Sequence, residues 1–351
     1  MGLNPALWQG KRVLVTGHTG FKGSWLTLLL KNLGAEVVGI SLPPGKTQSL
    51  FIDAKISDEV SSNLFQDIRD EFAVAKAIKN SNIDYVFHLA AQAYVRQSVR
   101  NPIESITTNV VGTANILLSS LANESVLGVT VVTTDKVYEN LGQKEPFKES
   151  DQLGGVDPYS ATKAASEIIV NSINISNNPL NIPITTVRAG NVIGGGDWGQ
   201  ERLVPDLVRA LYSNTTLPIR NPKSVRPWQH VLDCLYGYLL VGQSHLEKKR
   251  DIPRALNFGP RDSLSVMELV ILFEAAFEKK VVHEHLKSSI HESEWLELNS
   301  ELAHSYLGWK SSFSQSEAVS QTAEWYSNFA SGRDARELIL DQVAKFKIGK
   351  W

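Results

Sequence analysis

The sequence predicts an α/β fold, a doubly wound parallel sheet with a smaller mixed α/β lobe beside it. Three observations predict this. Short β-branched runs alternate with helical stretches through the first half of the chain. A glycine-rich turn joins the first run to the first helical stretch. The second half changes character, with Pro205, Pro218, Pro222, Pro227, Pro253 and Pro260 spaced between short helices.

The elements follow in order. Val13-Leu14-Val15-Thr16 reads as a strand ending at Gly17. Phe21 to Leu33 reads as an amphipathic helix closed by Gly34, and Glu36 to Ile40 as the next strand. Asp70 to Lys79 is helical in pattern and leads into a strand at Asp84 to Leu89. Ile103 to Leu121 is helical and leads into Val129 to Thr134. A helix starting near Pro158 leads into a strand at Pro183 to Val187. Strands alternating with helices imply βαβ units and a parallel sheet of the Rossmann type. Arg188 to Gly199 is glycine-rich and polar, so it reads as a loop at the carboxyl edge of the sheet, where such folds bind ligands. The expected division gives residues 1–187 to the sheet domain, with elements around 228–258 returning to it. Residues 188–351 are mainly a lobe laid over the sheet edge.

Composition narrows the function classes. The chain has 351 residues, 42% of them hydrophobic, enough for a sizeable core. Lys and Arg number 35 against 37 Asp and Glu, for a net charge of −2. With no basic excess to neutralise a phosphate backbone, no nucleic-acid partner is expected. Cys234 is the single cysteine, which rules out an intrachain disulfide and a cysteine-rich metal site; it reads as a small buried hydrophobe. The N-terminus lacks a basic start followed by an apolar run. The richest apolar stretch, Val231 to Gly242, is interrupted by Asp233 and is too short to span a bilayer. A cytoplasmic protein with no membrane partner is expected.

The glycine turn is Gly17-His18-Thr19-Gly20-Phe21-Lys22-Gly23, with spacing G-x-x-G-x-x-G. Small residues there let the backbone approach a pyrophosphate, which the helix N-terminus attracts. A ribose-gripping acid is missing: no Asp or Glu occurs between Glu36 and Asp53. Ser41 can bond a ribose hydroxyl, and Lys46 is the only cation nearby, so this stretch leaves NAD and NADP both open. Thr133-Thr134-Asp135-Lys136 ends a strand, and Tyr159 and Lys163 lie 25 and 29 residues past Thr134. Positions i and i+4 share a helix face. An ammonium beside a phenol favours the phenolate, which suits acid–base work near neutral pH. Thr134 is placed to share a hydrogen bond with a substrate hydroxyl.

These residues, with Leu89-Ala90-Ala91-Gln92 and Asn109, resemble the extended short-chain dehydrogenase/reductase family, of the kind that modifies nucleotide sugars. The resemblance runs from Trp8 to Trp309. It implies NAD as cofactor, with Asp67 and Ile68 near the adenine, Leu89-Ala90-Ala91 near the adenosine half and Lys163 at the nicotinamide ribose. Gly17, Thr19, Gly20, Phe21, Lys22, Gly23, Ser41, Gln92, Asn109, Thr133 and Tyr159 complete the implied cofactor contacts. The pair Asp135-Lys136 is similar to the sugar 4,6-dehydratases, which typically carry Asp-Glu; lysine at the second position departs from that pattern. That pair, the stretch from Val187 to Trp198 and the run Arg226-Pro227-Trp228-Gln229-His230-Val231 resemble the branch that acts on CDP-glucose.

The implied reaction is oxidation at the sugar C4 by bound NAD, loss of water across C5 and C6, and hydride return to C6. Tyr159 takes the C4 hydroxyl proton, and a neutral Asp135 gives a proton to the departing C6 oxygen, which requires a carboxyl pKa raised by burial. Lys136 is either the C5 base, which needs a neutral amine, or a group that holds a water or orients Asp135. A diphosphate needs cations, and arginine offers a matching fork. Arg188, Arg202, Arg209, Arg220 and Arg226 lie on the lobe side. Arg226 comes first by resemblance, then Asn191 and Arg202, with Arg220, Gln92 and Trp198 as further substrate contacts; Trp198 reads equally as a core residue. Arg209 reads as a solvated helix residue and His88 as a satisfied interior histidine. His283 and His285 have no third ligand at suitable spacing, so no metal is expected. The resemblance also implies a homodimer or homotetramer through the helices near Ile103–Leu121 and Tyr159–Ile173. Alternatives within the same reading are another nucleotide-hexose 4,6-dehydratase, a 4-epimerase, or an NAD-binding protein without turnover.

Overall fold

Alternate residues of the first strand, β1 (Arg12–Thr16), enter different cores: Val13 and Val15 pack into one buried cluster and Leu14 into the other. A strand buried on both faces belongs to a sheet with helices on both sides. The structure, a computed structural model, describes residues 2–45, 47–249, 251–286 and 293–348. The other sheet strands are β2 (Glu36–Ser41), β3 (Ser62–Phe65), β4 (Tyr85–His88), β5 (Val129–Val132), β6 (Ile184–Ala189) and β7 (Ala255–Phe258). All pairings are parallel, in the order β3-β2-β1-β4-β5-β6-β7. The order reverses between β1 and β4, which opens a crevice at their carboxyl ends.

One face is covered by α1 (Phe21–Asn32) and, from the second half of the chain, by α5 (Val231–Leu246). The other is covered by α2 (Glu71–Asn80), α3 (Gly112–Leu121) and α4 (Pro158–Ser176). Caps set their starts. Asp70 accepts from the Ala73 amide at 3.0 Å, and Asp157 accepts from the Ser160 amide at 3.0 Å with Pro158 at the first helical position. The helical stretch before β5 is not one α-helix. Pro102–Ile106 runs into a wider turn at Thr107–Val111 before α3 begins.

The amphipathic reading of α1 needs correcting, because Gly23 through Leu30 are all buried. Its outer face is covered by residues far away in sequence: Trp25 Nε1 donates to the Gly195 carbonyl at 3.0 Å, and α6 (Ala335–Ile348) packs against it. The lobe is built from short helices, including Leu203–Ser213 and Gln315–Ala330, and from two- and three-residue strand pairs. Buried Asp233 in the first turn of α5 fastens it to the sheet layer by accepting from the amides of Ser312 at 2.6 Å and Phe313 at 3.1 Å. Among the described residues, no helix is long and apolar enough to cross a membrane.

Candidate active site

The β1–α1 turn has no room for side chains at its glycines. Gly17 has φ of +76°, and a Cβ on it would lie 2.8 Å from the Ala90 nitrogen. A Cβ on Gly23 would lie 2.1 Å from the Gly17 carbonyl oxygen. The N-cap of α1 is Gly20, which supplies no side-chain oxygen, so the first amides of α1 are left for an anion. Thr19 and Ser41 hydroxyls bond each other at 2.7 Å over the end of β2. His18, which sequence reasoning passed over, folds under this turn: its ring presses on Gly39 and its Nε2 meets Asn63 Oδ1 at 2.8 Å. Glycine at position 39 within a β-branched strand was the available signal. Lys46 lies outside the described residues.

The loops after β3 and β4 complete this side. Asp67 accepts a fork from Arg69, with contacts down to 2.6 Å, and that cation holds its carboxyl below the usual range. Ile68 is buried against Gly112, and its carbonyl accepts from Asn115 at 3.0 Å. The Leu89 and Ala90 amides both donate to Thr16 Oγ1 at 3.1 Å, and Ala91 follows half-buried. Asn109 spends its whole amide internally, on both backbone groups of Gln92 and on Thr162 Oγ1. It clasps the β4 loop to the helix bearing Tyr159. His88 is held between Thr16 at 2.7 Å and Thr113 at 2.9 Å, as a satisfied interior histidine.

The end of β5 and the start of α4 carry the reactive groups. Thr134 caps a single turn, Asp135–Val137, and donates to Asp135 Oδ1 at 2.9 Å. Asp135 is buried, and its Oδ2 has no hydrogen-bond partner among the described residues. Burial pushes this carboxyl up, against the opposing pull of Lys136, Thr134, Arg226 and Lys22. Burial also pushes the Tyr159 phenol up to about 12, with the Thr134 hydroxyl favouring the phenolate and the Asp135 charge opposing it. Lys163 is buried and lowered to about 8, chiefly by desolvation. The expected ammonium-to-phenol pairing is not made. Lys163 Nζ donates to the Val132 carbonyl at 2.8 Å instead, because that buried oxygen at the strand end is within reach.

A shallow cleft open to solvent is lined by Lys136, Tyr138, Asp157, Ser160 and Arg226, among others. Arg226 is buried and donates to the Val225 carbonyl at 2.8 Å. Arg202 pairs with Asp197 at 3.1 Å, lies over the Tyr94 ring at 5.1 Å and pulls the Tyr159 phenol down. Asn191 and Arg220 are half-buried, and the Asn191 carbonyl accepts from Gln229 at 3.0 Å. Trp198 is a pin between layers: its Nε1 donates to Asp53 at 2.9 Å and its ring packs on Tyr326 and Phe329. Arg209 is not merely solvated, since it donates to the Trp198 and Gly199 carbonyls. Arg188 is no phosphate grip; its guanidinium is sealed against Glu167 and Tyr138. Among the described residues, no group of three or more His, Cys, Asp or Glu could hold a metal ion.

Residues 13–259 match the model of the family described as the NAD dependent epimerase/dehydratase family, well over half of the chain. The chain belongs to that family. The CDP-glucose 4,6-dehydratase of Salmonella typhimurium is 38% identical over 339 residues, covering 93% of each chain. The human dTDP-D-glucose 4,6-dehydratase is 28% identical over 335 residues, covering 90% of each. Among solved structures, a UDP-glucose 4-epimerase from Thermotoga maritima superposes with a TM-score of 0.79 at 23% identity, covering 91% of this chain and 99% of that one. For this member of the epimerase/dehydratase family the cofactor is therefore NAD. The glycine cradle fits it, since Gly17 and Gly23 leave the turn no room for a Cβ and the first α1 amides have no side-chain cap. Gly23→Ala is expected to cost about 1–3 kcal/mol of stability through overpacking and to abolish NAD binding, checked by thermal unfolding and calorimetric titration.

Proposed function

We propose that this chain is a nucleotide-sugar 4,6-dehydratase that converts CDP-D-glucose to CDP-4-dehydro-6-deoxy-D-glucose and water. The observation that carries this reading is Asp135, a buried carboxyl raised by desolvation, beside Thr134 and within electrostatic reach of the Tyr159 phenol. A neutral carboxyl at that place is a proton donor, which loss of water needs and a simple epimerisation does not. The likeness to the Salmonella enzyme supports the nucleotide and the sugar.

NAD, when bound, supplies the hydride acceptor for C4 and gives the hydride back within one turnover. Gly17, Thr19, Gly20, Phe21, Lys22, Gly23 and Ser41 line its pyrophosphate and ribose side in this proposal, and Asp67, Ile68, Leu89, Ala90, Ala91, Gln92 and Thr133 the rest. Tyr159 takes the C4 hydroxyl proton while Thr134 orients that hydroxyl. A phenol standing at about 12 needs positive charge nearby to do this near neutral pH; Lys163, one turn along α4, and Arg202 are the chain's own sources. The 4-ketone acidifies the C5 proton, which Lys136, as the neutral amine, removes at the cleft wall and gives back to C5 when hydride returns to C6. Asp135 then protonates the departing C6 oxygen. Arg226, Arg202, Arg220, Asn191 and Gln92 hold the nucleotide diphosphate.

Incubation with a panel of nucleotide-glucose donors tests the substrate. CDP-glucose is expected to give a 4-keto product absorbing in base, and an inert CDP-glucose beside another reactive donor would sink the CDP assignment. Lys136→Ala is expected to lower turnover 10²–10⁴-fold, on the order of a lost general base, and to suppress deuterium exchange at C5; normal exchange would remove Lys136 as the base. Ile103, Ile106, Leu118 and Ile168 stay exposed on the helices before β5 and on α4, which supports pairing with a second copy. Light scattering is expected to give at least twice the 38.8 kDa chain mass, and a monomer mass contradicts pairing.

A further inference from the structure

The first amides of α4 must find partners outside the helix, and one of them belongs to Tyr159. Pro158, at the first helical position, has no N–H to place. The Asp157 carboxylate accepts from the Ser160 amide at 3.0 Å and also from the Ser160 hydroxyl. The Ala161 amide turns back to the Asp157 carbonyl at 2.9 Å. That leaves the Tyr159 amide, whose partner comes from 61 residues away: it donates to Ser98 Oγ at 3.0 Å. Ser98 is fully buried, and its own hydroxyl proton goes to the Val95 carbonyl at 2.7 Å. The hydroxyl is thereby fixed, with a lone pair turned to Tyr159.

Ser98 lies on the short helix Val95–Arg100, in the connection that follows β4. That helix is held in turn from the lobe. Arg96 and Arg100 reach the Glu201 carboxylate at 3.7 and 3.4 Å, and the Tyr94 ring, just before the helix, lies 5.1 Å under the Arg202 guanidinium. Glu201 holds a left-handed backbone with φ of +58°, uncommon for a residue with a Cβ. Such a conformation persists where its surroundings fix it, and the two arginines do so here. The element that carries Ser98 is thus anchored on both sides, and it gives the start of α4 a fixed stop.

We propose that Ser98 is a positioning residue: its hydroxyl ties the Tyr159 backbone to the short helix and so sets the phenol against Thr134 at the end of β5. This rests on the reading of Tyr159 as the group that takes the C4 proton; Ser98 acts through Tyr159 and not on the sugar. The charged groups facing the phenol are Asp135 from the end of β5 and Asp157 at the cap, which oppose the phenolate, and Arg202 from the lobe, which favours it. Tyr238 on α5 faces it as a neutral phenol. None of these is altered by removing the Ser98 hydroxyl. Without the tether the first turn of α4 leaves its stop, the Thr134 hydroxyl no longer meets the phenolate, and Tyr159 keeps its proton to higher pH.

The test uses the full chain with NAD bound. Ser98→Ala is expected to lower kcat about ten- to a hundredfold, the scale of a reacting group displaced by up to an ångström, with KM for CDP-glucose changed far less. The acid limb of the kcat profile should move up by about half to one pH unit, the worth of one hydrogen bond to the phenolate. Hydrogen exchange, read by mass spectrometry on peptides spanning the start of α4, should show the Tyr159 amide exchanging roughly tenfold faster. Ser98→Thr keeps the hydroxyl and should restore both. Ser120→Ala, which removes a buried hydroxyl that donates within its own helix, should move neither. A folded Ser98→Ala protein in which either readout stays at its native value overturns the proposal, whatever the change in thermal stability. If the native chain does not dehydrate CDP-glucose, the dehydratase reading falls, and exchange at Tyr159 alone decides whether Ser98 holds it.

Discussion

Strands β1 and β4 are neighbours in the sheet although some seventy residues separate them, and the strand order reverses between them. That single constraint makes the site. Parallel strands end together, so the β1–α1 turn, the loop after β4 and the end of β5 open at one edge. Tyr159 and Lys163 arrive there because α4 packs under β5 and β6. Gly17 is the local consequence, since the turn must pass close under the β4 loop with no Cβ between them, and Gly23 in turn leaves room for the Gly17 carbonyl.

The edge is then wired by polar groups that are costly to bury. Asp135, Tyr159 and Lys163 are each displaced from their ordinary pKa by desolvation, and in each case towards the neutral form. A neutral carboxyl is already an acid in waiting. A neutral phenol is not yet a base, and a lysine near 8 is still mostly charged at neutral pH. Burial thus favours proton donation by Asp135, and proton removal at C4 depends on positive charge collected around Tyr159. Arg202 already pulls the phenol down from the lobe side.

Local pattern made much of this legible in the sequence. The strands Val13–Thr16, Glu36–Ile40 and Val129–Thr134 announce themselves by β-branched runs, and the glycine turn by spacing and position. Tyr159 and Lys163 are visible because a helix puts i and i+4 on one face. What failed to show was what distant segments do to a local pattern. Helix α1 reads as amphipathic until α6 and the Gly195 loop cover its outer face. Arg188 reads as a phosphate fork until β6 sets it beside Glu167 on another element. Lys163 and Tyr159 share a face as expected, yet a buried carbonyl at Val132 competes for the ammonium, which spacing cannot reveal. Trp198 resolves only when Asp53, Tyr326 and Phe329 are seen around it.

In the proposed reaction, oxidation at C4 and reduction at C6 belong to one turnover over a buried acid. It is tested most directly with CDP-glucose carrying deuterium at C4, followed by mass and NMR analysis of the product. The expected product is a 4-keto-6-deoxy sugar, lighter by one water, with the deuterium now on C6. Deuterium retained at C4 in a sugar of unchanged formula and inverted configuration would contradict it, and would make Asp135 a buried structural carboxyl in an epimerase.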